Sequence, residues 1–155
     1  MPRRNQNAKR PESGDVRERL PAHVTPIRTE TFWIPRLAPN INSIIESKGT
    51  RSKRSYKSLR KLWYDEVFHA ARFIKPFTHP IWFTVHCYES NQTRDPNNIV
   101  LGATKLIMDA IHKQEGWGLI PEDDWIWNAG LGVPKWEVNK SNPGVLVILD
   151  EVDNG

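Results

Sequence analysis

Apolar residues recur along most of this chain at spacings that mark two helices and several strands, and the pattern is absent at the front. The clearest helix begins at Asp95-Pro96, a side-chain cap followed by proline at the first helical position. Ile99, Ala103, Leu106, Ile107 and Ala110 line its inner face at steps of three and four. Asn98, Gly102, Lys105, Asp109 and His112 form a polar stripe that runs along one side from Asp95. An earlier helix is predicted over 55–73, where Leu59, Trp63, Val67 and Ala70 point inward. Strands are predicted over 31–34, over 79–90, over 125–128 and 136–139 with AGLGVPK as their connection, and over 144–152 as a central strand by its apolar density.

This order of strand, helix, strand, helix and strands predicts an α+β fold, a mixed or antiparallel sheet with helices packed on it. Residues 1–28 are rich in Arg, Pro, Asn and Glu without apolar periodicity, so they are expected to be a mobile basic tail. Residues 29–155 are then one folded domain, which a chain of 155 residues can support without disulfides. Cys87 is the only cysteine, which excludes an intramolecular disulfide and a cysteine zinc cluster. No apolar run is long enough for a membrane span or a signal h-region, so a cytoplasmic protein is expected.

The formal net charge is +4, and its placement is uneven. Between 48 and 61 stand Lys48, Arg51, Lys53, Arg54, Lys57, Arg60 and Lys61 with no acid among them, a candidate phosphate-binding surface. Carboxylates occur at Asp95, at Asp109 on the helix stripe, and at Asp123-Asp124 before the strand at Trp125. Hard cations such as magnesium take oxygen ligands of this kind, and phosphodiester cleavage uses carboxylates from different elements together with a lysine. Lys105 lies four residues before Asp109, which is also the spacing of an ordinary helix ion pair. His69, His86 and His112 share no metal-ligand spacing, and the glycines of Gly130 to Gly132 read as a turn with nothing of a P-loop around them.

The run RDPNNIVLGATKLIMDAI, followed by GLIPEDDWIW and by KWEV and NPGVLVILDEV, resembles the RusA family of Holliday junction resolvases in its phage and prophage branch. The resemblance covers about 32–152, weakly in the first half and well in the second. It implies a homodimeric, magnesium-dependent endonuclease that cuts four-way and related branched DNA by paired nicks, with manganese as a possible substitute and no small-molecule cofactor. By the same resemblance Asp95 and Asp123 match metal-binding aspartates, Lys105 the helix lysine and Asp109 the helix aspartate, while Asp124 stands where glycine is commoner. Asn97 departs from the pattern, because it occupies the place of a second aspartate. Asparagine offers a carbonyl oxygen but no charge and cannot act as a base, so the implied site lacks one ligand charge. Three outcomes follow: a working nuclease in which Asn97, Asp109 or Asp124 completes the shell, a slow nuclease, or a structure-selective DNA-binding protein on the same fold that does not cut.

Overall fold

The computed structural model describes residues 10–42, 53–112, 118–122 and 126–153, with the side chains of 53–56 left out. The chain forms α1 (Val16–Arg19), β1 (Arg28–Ile34), α2 (Lys53–Ala71), β2 (Ile81–Glu89), α3 (Pro96–Ile111), β3 (Asn128–Leu131), β4 (Lys135–Val138) and β5 (Gly144–Glu151). Five strands make one mixed sheet. β5 is central, as its apolar density predicts, and pairs antiparallel with β1 on one side and β2 on the other. On the far side of β2, β3 and β4 both run parallel to it, β3 along its first residues and β4 along its last. The segment β2–α3–β3 is therefore a βαβ unit, in which α3 is the crossover that parallel strands require.

Alternation along the strands separates the two faces of the sheet. Phe32 and Ile34 of β1, Ile81, Phe83, Val85 and Cys87 of β2, and Val145, Val147 and Leu149 of β5 face the helices. There they meet Trp63, Val67 and Ala71 of α2 and Ile99, Ala103, Leu106, Ile107 and Ala110 of α3. Burying side chains of this size is worth roughly 1.5–3 kcal/mol each, so this layer is the main source of stability. Gly102 lies in the polar stripe by sequence but is buried in the structure. A Cβ there would lie 1.8 Å from the Pro39 carbonyl oxygen, so only glycine lets the loop after β1 approach α3.

The opposite face carries smaller clusters, and here the expected tail proves part of the fold. Trp33, Tyr88, Leu146 and Ile148 form one, and Leu20, Val24 and Val152 form another, against which Val16, Trp82 and Ala129 pack. Asp15 caps α1 by accepting the Arg17 N–H, and Arg19 is buried against Asp150 with Nε to Oδ2 at 2.8 Å and Nη2 to Oδ1 at 2.9 Å. Thr29 Oγ1 donates to the same carboxylate at 2.6 Å. Residues from Arg10 onward thus cross the outer sheet face, and the expected boundary at residue 28 is corrected. The strand expected over 125–128 is corrected too: β3 is Asn128–Leu131, so AGL, expected to be part of the connection, is itself strand. Among the described residues no helix is long and apolar enough to cross a membrane.

Candidate functional site

The polar stripe is built by α3, whose first turn is set by Asp95. The Asp95 carboxylate accepts the Asn97 N–H at 2.9 Å while Pro96 fixes the first helical position, so the sequence prediction of this cap holds. Asp95 and Asn97 are both exposed, just past the loop that leaves β2. An exposed aspartate that caps with one oxygen keeps further acceptor sites on its carboxylate.

Lys105 and Asp109 stand further along the same helix, paired at 3.1 Å between Nζ and Oδ2. They line an open cleft of about 350 Å³ with Thr104, Met108, Asn128, Gly130 and Leu131, between the second half of α3 and β3. A helix rises about 1.5 Å per residue, which puts Lys105 roughly 15 Å and Asp109 roughly 21 Å from Asp95 along the axis. One ion cannot bind both aspartates. The expectation that Asp109 completes a shell around Asp95 is therefore withdrawn, and Lys105 does not face the phosphate that Asp95 would serve.

Asp123 and Asp124 lie outside the described residues, as do Lys48 and Arg51 and the side chains of Lys53 and Arg54. The described chain on either side of 123–125 belongs to the end where α3 finishes. Leu119 and Ile120 both donate to the Ile111 carbonyl, at 2.7 and 3.2 Å, and the Trp127 carbonyl accepts the Ile81 N–H at 2.9 Å. Of the basic block, Lys57 and Lys61 are exposed on α2. Arg60 is half-buried, donates to Tyr64 Oη at 2.8 Å and stacks over its ring at 5.0 Å, so it is in part a packing residue.

The sequence reading missed the corner beside Asp95. Glu89 at the end of β2 holds Arg94 in a two-pronged ion pair, Nε to Oε1 at 2.7 Å and Nη2 to Oε2 at 2.9 Å. With Trp136, Glu137, Pro96 and Ile99 they line a second cleft of about 300 Å³. The signal was partly present: Arg94 belongs to the RDPNN run, but Glu89 closes a strand marked only by its β-branched and aromatic residues. Among the described residues, no three His, Cys, Asp or Glu side chains converge closely enough to enclose a metal ion. Asp95 with Asn97 nevertheless suits magnesium bound as it commonly is, by one or two carboxylates plus waters and substrate phosphates rather than by an all-protein cage.

Buried polar groups on the outer face complete the electrostatic picture. His86, buried beside β4, is held neutral with its pKa pushed down to about 4, first by burial and then by the charges of Lys135 and Arg19. On the helix-facing side, burial pushes the Cys87 thiol up to about 12, which leaves it an inert packing group. Comparison with known proteins adds no assignment. Neither a scan against protein-family models nor a search of curated proteins matches this chain.

Proposed function

We propose that the protein is a RusA-like, divalent-metal-dependent endonuclease that acts on branched DNA, with Asp95 as the central metal-binding carboxylate. The observation that carries this choice of carboxylate is the contrast between the two ends of α3. Asp109 is already neutralised by Lys105 at 3.1 Å, whereas among the described residues Asp95 enters no ion pair and stands exposed at an open corner. Asn97 would add a carbonyl oxygen, and a bound magnesium would there polarise a phosphoryl oxygen and lower the pKa of a water. The chain's own residues orient the strand. Lys57 and Lys61 supply positive charge on α2, and Lys105 engages the backbone away from the scissile bond. At about 3.4 Å of rise per nucleotide, the 15–21 Å from Asp95 to the Lys105–Asp109 pair spans roughly four to six nucleotides, so the stripe suits one strand lying along α3. Asp123 is implied by the resemblance as a second ligand, but its described neighbours Ile120 and Trp127 lie at the end of α3 opposite Asp95, so no ion shared by Asp95 and Asp123 within one chain is proposed.

A second reading is structure-selective binding without cleavage. It is favoured by Asn97 and by the lack of three converging carboxylates among the described residues. Nicking of a labelled four-way junction and of matched linear duplex, with and without magnesium or manganese, separates the two. The nuclease reading expects metal-dependent nicks confined to the junction and lost in Asp95→Asn. Junction binding with no nicks at any metal concentration would leave the second reading standing.

A further inference from the structure

We infer that the cleft between β4 and the start of α3 is a nucleobase pocket, which takes one unpaired base of branched DNA against the Trp136 ring. This deepens the reading of the Asp95 corner as a DNA site and rests on it, though not on cleavage. Arg94 and Pro96 both line the cleft, so it opens beside Asp95, which stands between them in the chain. A base held there belongs to a nucleotide adjoining the phosphate at Asp95.

The register of β4 brings the ring to this cleft. Trp136 pairs with Cys87 and Val138 with Glu89, so both side chains lie on the helix-facing side of the sheet. The helices pack on β1 and β2, however, and β4 is exposed along its length. Trp136 is therefore left uncovered: it is 47% exposed, and among the described residues no second ring stacks on it. Pro96, Ile99 and Val138 add apolar wall. A cleft of about 300 Å³ with apolar walls and a few placed polar groups is the usual form of a small-ligand site.

Charge decides between a base and a phosphate as the occupant. Arg94, the one cation among the described lining residues, is already neutralised by its two bonds to the buried Glu89, at 2.7 and 2.9 Å. Glu137 adds a carboxylate at the rim, with Lys135 no nearer than 3.8 Å. Such a cleft repels a phosphate and suits a neutral planar ring. Arg94 Nη1 has no hydrogen bond among the described residues, so it can donate to a base nitrogen or carbonyl, while Glu137 can accept from an amino or imino group. Every base has a face that stacks on an aromatic ring, so the pocket reads the lack of pairing rather than the sequence. Taking a base out of a duplex costs unstacking and unpairing, and the cost is least where the base is already unpaired, as at a branch point. The pocket thus gives this site a physical reason to choose branched DNA over linear duplex.

The test is equilibrium binding of the full-length protein, in EDTA, to a labelled four-way junction and to copies in which each branch-point nucleotide in turn is an abasic analogue. Parent, Trp136→Ala and Trp136→Phe are compared, with circular dichroism to confirm folding. One abasic position should weaken the parent about tenfold, and Trp136→Ala should weaken binding of the intact junction to the same degree. The two losses should not add, because each removes the same contact, and Trp136→Phe should keep most of the affinity. A parent that binds intact and abasic junctions alike, a folded Trp136→Ala protein with unchanged affinity, or losses that add would each overturn the pocket and leave the cleft to a protein side chain. A parent that binds no junction would overturn the pocket and the DNA reading together. The expected binding pattern without nicks when magnesium is supplied would support the pocket and overturn cleavage alone, so the two failures are distinguishable.

Discussion

The Asp95 carboxylate accepts the backbone N–H of Asn97 at 2.9 Å, so the residue proposed to hold the metal is also the residue that starts α3. These two duties separate under substitution. Asparagine caps a helix about as well as aspartate, whereas alanine costs on the order of 1 kcal/mol. Asp95→Asn is therefore expected to melt within a degree or two of the parent while losing metal-dependent nicking. Asp95→Ala should lose both activity and some stability, which thermal melts beside junction assays will show. Undiminished nicking by a stable Asp95→Asn protein would reduce Asp95 to a cap.

Asn97 is the converse case. It occupies the first turn of α3, which contains no acidic residue after the cap. A carboxylate placed there meets the positive end of the helix dipole, worth roughly 0.3–1 kcal/mol at an exposed position. Asn97→Asp is expected to raise stability slightly at low salt and to lower the magnesium concentration for half-maximal nicking. An unchanged metal dependence would show that this side chain does not reach the ion.

Arg19 and Asp150 tie the N-terminal segment to the central strand, and their burial makes the pair asymmetric under mutation. Arg19 and Asp150 are 5% and 0% exposed, so Arg19→Ala leaves a buried carboxylate without its cation. Such a change costs about 3–5 kcal/mol, whereas replacing both members with apolar groups is often close to neutral. Denaturant titration should show a large loss for Arg19→Ala and a much smaller one for Arg19→Met with Asp150→Leu. Equal losses would mean that the pair stabilises the fold outright.

The elements legible in the sequence are those whose own residues dictate them. α3 carries its cap, its proline and an apolar stripe, and β5 is so apolar that only a central position suits it. β3 was misplaced because its identity lies in its neighbours. A Cβ at Gly130 would lie 2.7 Å from the Trp82 ring, so glycine is there to let the strand approach β2, and local reading makes it a turn. The N-terminal segment escaped detection for a similar reason: one buried arginine and the apolar pair Leu20 and Val24 anchor it, too few to make a period. As for the site, residue types and spacing correctly put a cap at Asp95 and an ion pair at Lys105 and Asp109. The helical rise between them, itself readable from sequence, forbids the convergence that the residue types suggest.

His86 supplies a pH dependence whose sign follows from its surroundings. Its folded pKa is about 4, below the ordinary value of 6.5, because burial and the charges of Lys135 and Arg19 disfavour the imidazolium. Between those two values the unfolded chain binds a proton that the folded chain excludes, so stability rises with pH there. The contribution is complete above about pH 6.5 and falls away as the pH drops toward 4, by at most about 3 kcal/mol for a shift of this size. Carboxylates begin to titrate in the lower part of the same range, so the test is a difference. His86→Phe should flatten the slope of unfolding free energy against pH between 6.5 and 5 relative to the parent, measured by urea denaturation. Parallel slopes would mean that His86 is protonated in the folded state and that the outer face of the sheet is wetter than its packing indicates.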